Sequence, residues 1–179
     1  MKTLLVYYSF TQNNAQLAKT IQSRLGCDIL QIETVWKRST FSIFLDMLFG
    51  RRPSIRKHNL SMENYDQFVF VGPIWLGKIA GPLKTFLHEE RDKIKRYSFI
   101  TLCGGLAGQK EKIEAELVSI LGIHPLNVSE LWISEIVDQS VPKDAKNISA
   151  YRVGGEEIEK FNTKIDEFCF NILEEKIMS

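Results

Sequence analysis

Uncharged polar side chains cluster where the first apolar run of the chain gives way to a helical pattern. Ser9, Thr11, Asn13 and Asn14 supply hydroxyl and amide donors, and a helix is expected to begin near Asn13. The first N–H groups of a helix have no partners within it and carry a partial positive charge, which suits an anion. Phosphate binding is one prediction for this stretch. Helix capping is the other, because Ser, Thr and Asn are preferred capping residues.

A second stretch, VGPIWLGKIAGP at residues 71–82, directly follows an apolar run. Pro73 and Gly77 predict a turn, and Trp75 lies near its tip. An indole at this place can lie against a flat aromatic ligand, and Gly77 lets a ligand approach the backbone closely. The alternative is a Trp that packs under its own loop, and the sequence leaves both open.

A third stretch, TLCGGLAGQ at residues 101–109, is rich in glycine. Gly104, Gly105 and Gly108 leave backbone N–H and C=O groups uncovered, so that they can bind the edge of a ligand. A simple turn into the next helix explains the same glycines. The Cys103 thiol can face the ligand, although a buried thiol at a strand end is the preferred interpretation.

Five short apolar runs predict strands, and their Val, Ile and Phe content is typical of strands buried on both faces. The predicted strands cover residues 3–8, 28–33, 67–72, 98–103 and 131–136. Apolar residues at helical spacing predict helices at residues 13–25, about 82–91 and 109–121. A C-terminal helix is predicted from the spacing of Ile158, Phe161, Ile165, Phe168 and Ile172. This alternation indicates an α/β fold with three layers, a doubly wound parallel sheet between helices.

The three polar or glycine-rich stretches follow three different strands of this predicted sheet. Residues 9–14, 73–81 and 103–108 each lie at a carboxyl end, where doubly wound sheets bind their ligands. We therefore expect one crevice that binds a phosphate at one end and is lined elsewhere by an aromatic side chain and by backbone groups that no side chain covers.

At the same three stretches the chain resembles the flavodoxin-like FMN-binding family. YYSFTQNN resembles that family's phosphate loop, S/T-x-T-G-N-T, while PIWLGKIAGPLKTFL and TLCGG resemble its second and third flavin loops. The resemblance covers nearly the whole chain in order and spacing. It implies a single domain over residues 1–179 with five parallel strands in the order 2-1-3-4-5.

The resemblance also implies the residues that bind FMN. The first loop would hold the phosphate, Trp75 and Gly77 would contact the isoalloxazine, and residues 103–105 would line its pyrimidine edge. The full implied set is Ser9, Thr11, Gln12, Asn13, Asn14, Pro73, Ile74, Trp75, Leu76, Gly77, Cys103, Gly104, Gly105 and Gly108. Two positions depart from the family pattern, since the usual Gly is Gln12 and the last Thr is Asn14. If position 12 needs a positive φ, Gln12 weakens FMN binding or rearranges the loop.

Residues 36–57 form an insert between the second and third predicted strands. Six basic residues against one acidic residue give it a formal charge of +5. A short amphipathic helix is predicted from the spacing of Phe41, Phe44, Leu45, Leu48 and Phe49. It can pack on the domain's own core, cover the flavin site, form a homodimer contact or rest on an anionic membrane surface. We favour core packing or a dimer contact over the membrane.

The composition suits one globular domain, with 179 residues of which 44% are apolar and 25% charged. A formal net charge of +1 gives no indication of nucleic-acid binding. Cys27, Cys103 and Cys169 are too few and too far apart for a disulfide framework or a zinc site. A reducing, cytoplasmic compartment is the simplest interpretation.

Three functions fit these observations. The first is an FMN enzyme that passes electrons from NAD(P)H to a small acceptor such as a quinone. It needs no catalytic side chain, because the chemistry belongs to the cofactor.

The second is a flavodoxin-type electron carrier. Electron carriers of this family are known to be strongly acidic, so a formal net charge of +1 argues against this role. The third is an interaction module with a decayed cofactor site, for which Gln12 is the best support.

Overall fold

The computed structural model describes residues 1–138, 142 and 144–178. The strands are β1 (Thr3–Tyr7), β2 (Asp28–Gln31), β3 (Gln67–Val71), β4 (Ile74–Trp75), β5 (Lys78–Ile79), β6 (Tyr97–Cys103) and β7 (Val128–Trp132). The helices are α1 (Asn13–Leu25), α2 (Thr40–Leu48), α3 (Gly81–Glu90), α4 (Gln109–Leu121), α5 (Ile133–Ile136), α6 (Ala145–Ala150), α7 (Gly155–Glu159) and α8 (Asn162–Met178).

Five parallel strands form the main sheet in the order β2-β1-β3-β6-β7, and β4 and β5 form a separate antiparallel pair. Counting only the strands of the main sheet, this is the predicted order 2-1-3-4-5, which is confirmed. The winding reverses between β1 and β3, because the chain leaves β1 toward one side of the sheet and later extends from β3 toward the other.

Alternate residues of each strand point to opposite faces, and each face has its own hydrophobic cluster. Leu5, Val69 and Ile100 belong to the cluster that includes α1 and α8. Leu4, Phe68 and Phe99 belong to the cluster that includes α3 and α4. Burying one such side chain stabilises the fold by about 1.5–3 kcal/mol. The three layers and the helices at residues 13–25 and 109–121 are confirmed.

The fifth strand differs from the prediction of residues 131–136. It is Val128–Trp132, and residues 133–136 form a helical turn in which Val137 N–H donates to the Ile133 carbonyl at 3.2 Å. Ile136 and Val137 lie three and four residues after Ile133, a spacing that suits a helix. The same apolar residues, taken as a continuous run, also suit a strand. Residues 128–130 become strand because they pair with residues 99–101 of β6.

The C-terminal amphipathic pattern divides into two helices, α7 and α8, with a turn at residues 160–161. Phe161 N–H donates to the Ile158 carbonyl at 3.0 Å, and Ile165 N–H donates to the Phe161 carbonyl at 2.9 Å. The predicted face is buried on both sides of the turn. The turn therefore leaves the packing of this segment intact.

The insert contains the predicted short helix, α2. Reciprocal hydrogen bonds between Ser39 and Ser42 cap its start. Ile43 is the buried residue of this helix, whereas the predicted stripe points outward. Four of its five members are exposed, namely Phe41, Phe44, Leu48 and Phe49. The interpretation that this stripe packs on the domain's own core is therefore wrong.

Across the part of the chain that the structure describes, no helix combines the length and the apolar character needed to cross a membrane.

Candidate functional site

The three stretches singled out from the sequence meet at one edge of the sheet. They follow β1, β3 and β6, which are adjacent and parallel. Their carboxyl ends therefore lie side by side at the point where the winding reverses. We call the space between these loops the crevice.

The first loop leads into α1 through a residue with left-handed backbone. Gln12 has φ 71° and is the N-cap of α1, and no side chain caps this helix start. The capping interpretation of the loop is therefore wrong. Ser9 lies just before, and its buried Oγ has no hydrogen-bond partner among the described residues. An unpartnered hydroxyl thus lies beside a helix start with free N–H groups.

The side chains of Asn13 and Asn14 are buried and bonded to the protein. Asn14 Nδ2 donates to the Leu102 carbonyl at 3.0 Å, and Leu102 N–H donates to Asn14 Oδ1 at 3.0 Å. Asn13 Nδ2 donates to the Tyr151 carbonyl at 2.9 Å, and Val153 N–H donates to Asn13 Oδ1 at 3.1 Å. The sequence suggested these amides as phosphate donors, but here they fix the first loop to its neighbours.

The segment before α7 reaches the crevice, which the sequence did not predict. Tyr151 and Val153 bond to Asn13, and a side-chain carbon on Gly104 would lie 3.1 Å from Ile148. This segment therefore packs against both the first and the third loop. Its contacts join residues 138 and 140 positions apart in sequence, and no local pattern carries that information.

The second loop is a tight hairpin. Ile74 pairs with Ile79 and Trp75 with Lys78, which leaves Leu76 and Gly77 as the two turn residues. Their φ angles of 49° and 75° are both positive, as the favoured two-residue hairpin turn requires. The backbone conformation is costly for Leu76, whose side chain is exposed. At the base of the loop, Ala80 N–H donates to the Pro73 carbonyl at 3.1 Å.

Trp75 is half-buried, and it contacts the first loop as well as the cluster that contains Ile79 of its own hairpin. Its indole meets the ring of Tyr8 edge-on at 6.0 Å between centroids, and that of Phe10 at 6.3 Å. Such pairs add about 0.5–1.5 kcal/mol beyond burial. These contacts tie the second loop to the start of the first, and the indole also lines a cavity between α2 and the β4–β5 hairpin.

The third loop brings backbone close to the sheet. Gly105 has φ 84°, and a side-chain carbon there would lie 2.7 Å from the Trp132 ring, so only glycine fits. Gly108, with φ 69°, is the N-cap of α4. Both glycines therefore serve the turn. The Gly105 backbone is hydrogen-bonded to the Cys103 thiol, whereas Gly104 is exposed.

The Cys103 thiol is buried beside the start of α4. Gln109 Nε2 donates to Cys103 Sγ at 3.2 Å and also bonds to Glu130 Oε1. Burial raises the pKa of this thiol to about 11, so it stays protonated at neutral pH. Its side chain thus has protein neighbours, as the preferred sequence interpretation held, and only its backbone lies in the third loop.

The Ser9 hydroxyl and the uncapped start of α1 are thus uncharged donors of the kind that suits an anion. In the described part of the chain, no three His, Cys, Asp or Glu side chains could jointly hold a metal ion.

No protein-family model matches the chain, and no curated protein is similar to it at a significant level. Solved structures do match. The flavoprotein of Lactobacillus acidophilus NCFM in complex with FMN shares 22% identity, with TM-score 0.62 over 72% of this chain and 92% of its own. Its apo-form gives TM-score 0.59 at 22% identity, over 72% of this chain and 91% of its own.

Oxidised flavodoxin 2 of Bacillus cereus shares 15% identity with TM-score 0.50, and it covers 98% of this chain and 99% of its own. At such identities the likeness concerns the fold. Strand order, layers and these matches together show that this chain has the flavodoxin-like fold.

Proposed function

We propose that this chain is a cytoplasmic FMN-dependent oxidoreductase that passes electrons from NAD(P)H to a small acceptor such as a quinone. Fold alone does not define function, so the proposal depends on the crevice. The likeness to a flavoprotein crystallised with FMN makes this cofactor the first candidate.

The observation that carries the proposal is the buried, unpartnered hydroxyl of Ser9 beside the uncapped start of α1. An unsatisfied buried polar group costs about 1–3 kcal/mol, which proteins rarely leave uncompensated. A phosphate oxygen is the acceptor that this hydroxyl and the helix N–H groups would share. Both the donor chemistry and the place at the sheet edge therefore suit a mononucleotide phosphate.

The other crevice residues would have different roles in binding the cofactor. The Asn13 and Asn14 side chains hold the first loop in shape, so the phosphate would be bound by backbone N–H groups with Ser9 and Thr11. The turn at Leu76 and Gly77 and the backbone of Gly104 and Gly105 would bound the flavin ring system. When bound, FMN would supply the redox chemistry, accepting a hydride and passing electrons on.

Backbone strain supports the same location. The positive-φ residues other than glycine in the described chain are Gln12 and Leu76, one in each of the first two crevice loops. Such conformations cost about 1–3 kcal/mol each and cluster at ligand sites. The fold thus retains a left-handed conformation at position 12, even though the residue there is not glycine.

One observation favours a second function, an interaction module without cofactor. The amides of Asn13 and Asn14 are bonded to the protein, so the first loop presents fewer side-chain donors than the resemblance implied. A module of this kind would leave the Ser9 hydroxyl without a ligand. An electron-carrier role has no comparable support, because the chain carries a net charge of +1.

The test is a titration of the purified protein with FMN, followed by flavin fluorescence and absorbance. We expect saturable binding that Ser9→Ala weakens about tenfold, the effect of losing one hydrogen bond to a charged acceptor. Ser98→Ala is the matched control, since Ser98 Oγ is also buried and unpartnered but lies near the amino end of β6. Equal weakening by both variants, or no FMN binding, would contradict the proposal.

A kinetic measurement separates the enzyme from the carrier. The FMN-loaded protein should oxidise NADH or NADPH directly and reduce a soluble quinone with multiple turnovers. Turnover only after addition of a separate reductase would favour the carrier, and no turnover with no flavin bound would favour the module.

A further inference from the structure

The insert presents an apolar surface that the domain does not cover. On α2, Phe41 and Phe44 are 70% and 53% exposed, and Leu48 is 63% exposed. Phe49 directly after the helix and Trp36 before it are exposed as well. Single exposed apolar residues are ordinary, but five large ones within one short segment mark an interaction surface.

Unpaired positive charge flanks this apolar surface on both sides. Within the insert, Arg38 forms an ion pair with Asp46, and Arg56 pairs with Glu33 at 3.6 Å. The remaining cations are Lys37, Arg51, Arg52 and Lys57, all exposed and without an ion pair in the described residues. The apolar surface therefore lies between cations without ion pairs, and the one acidic residue of the insert, Asp46, is already paired with Arg38.

The positive potential extends beneath the helix. A cavity of about 360 Å³ lies between α2, the β4–β5 hairpin, α3 and α4, and Arg51, Arg52 and Lys78 contribute to its walls. The acidic side chains of this cavity are engaged, because Asp46 pairs with Arg38 and Glu116 bonds to Lys84 at 3.1 Å. Burial and the positive charges of Arg52, Arg91 and Lys84 lower the pKa of His88 at this cavity.

We propose that the insert docks the protein on an anionic lipid bilayer. We call the residues involved the docking face: Trp36, Lys37, Phe41, Phe44, Leu48, Phe49, Arg51, Arg52 and Lys57. Its apolar side chains would lie at the boundary between headgroups and acyl chains, while its cations would meet lipid phosphates and carboxylates. In this arrangement α2 lies in the plane of the bilayer surface. The proposal does not depend on FMN binding, because the docking face shares no residue with the crevice.

A second copy of this chain is the less suitable occupant. Pairing two docking faces would bring together two segments that each carry +5, and like charges at short range repel. An anionic bilayer offers the opposite charge and an apolar interior at once. Charge complementarity therefore favours the membrane over a homodimer through this surface.

The experiment is co-sedimentation of the full chain with vesicles of phosphatidylcholine alone, or of phosphatidylcholine with about 30% phosphatidylserine, at low and physiological salt. We expect binding that requires phosphatidylserine and weakens as salt is added. The same binding to both vesicle types, or binding to neither, would overturn the proposal.

Two variants separate the apolar and the charged contributions. Phe41→Ser with Phe44→Ser, and Arg51→Gln with Arg52→Gln, should each lower partitioning at least about tenfold. Phe170→Ser with Leu173→Ser is the apolar control, since both side chains are exposed on α8, and Lys110→Gln with Lys112→Gln is the charge control on α4. Circular dichroism and thermal unfolding verify that every variant folds.

Sedimentation velocity over a range of concentrations tests the other occupant. The chain should stay monomeric in the absence of vesicles. The proposal would be overturned by self-association that Phe44→Ser abolishes, together with vesicle binding that does not depend on phosphatidylserine. The occupant of the docking face would then be a second copy of the chain.

Discussion

The crevice and the insert are held in place by different kinds of interaction. Buried hydrogen bonds between distant residues fix the crevice, as when Asn14 pairs with the Leu102 backbone 88 residues away. Short-range contacts hold the helix α2 of the insert, among them the Ser39–Ser42 cap and the ion pair of Arg38 with Asp46, while the end of the insert is tied to α3 where Thr85 Oγ1 donates to the Pro53 carbonyl at 2.8 Å. The crevice should therefore depend on the global fold, whereas the outward face of the insert should tolerate substitution.

The largest effect is expected in the crevice. Asn14→Leu keeps the size of the side chain but leaves the Leu102 N–H and C=O buried without partners, at about 1–3 kcal/mol for each group. We expect it to lower the free energy of unfolding by about 3–5 kcal/mol in urea denaturation. Phe44→Ser on the docking face should change it by less than about 0.5 kcal/mol. Similar losses in the two variants would remove the distinction between the regions.

A smaller effect is expected from steric exclusion in the third loop. Gly105→Ala combines a left-handed backbone with a carbon 2.7 Å from the Trp132 ring. We expect a loss of about 2–3 kcal/mol in the free energy of unfolding. Gly108→Ala is the matched control, because its φ is also positive but its side chain would meet open space, so the loss should be about 1 kcal/mol. Equal losses would show that Trp132 does not restrict this loop.

Relief of strain in the first loop should have an effect of the opposite sign. Gln12→Gly removes the cost of a left-handed conformation in a residue with a side chain, and thermal unfolding should show a gain of up to about 1 kcal/mol. Lys19→Gly, in the exposed interior of α1, should lose about 1 kcal/mol and serves as control. A loss in Gln12→Gly would mean that the Gln12 side chain makes a stabilising contact.

The smallest effect concerns the charge beside the insert. The pKa of His88 is lowered by burial and by positive neighbours that include Arg52, so the folded protein binds fewer protons than the unfolded chain below about pH 6.5. This contribution to stability is complete above pH 6.5 and is lost as the pH falls through the folded pKa. Arg52→Gln should raise the His88 pKa in an NMR titration, whereas Lys57→Gln should leave it unchanged. An unchanged pKa in Arg52→Gln would indicate that the field of the insert does not reach the cavity.

Local patterns predicted the elements but not every boundary between them. The bounds of α1 and α4 follow from apolar spacing ended by Gly26 and Gly122, which adopt the left-handed conformation that ends a helix. The fifth strand was misplaced because apolar residues at 131–136 suit strand and helix alike. Only the pairing of residues 128–132 with β6 decides where the strand lies.

The same division holds for the candidate site. Three loops at neighbouring strand ends were predicted, because parallel strands place their carboxyl ends together. The partners of Asn13, Asn14 and Trp75 were not, because Tyr151, Leu102 and Phe10 reach them only once the sheet and helices are assembled.

The sequence by itself determined the doubly wound sheet, its three loops and the amphipathic basic insert, since each depends on periodicity and on residue types close together in the chain. Only the tertiary structure decided which polar groups of the crevice find partners and that the apolar stripe of α2 faces outward. The physical reason is that periodicity shows that a helix has an apolar side, whereas the surface available for burial is set by elements distant in sequence.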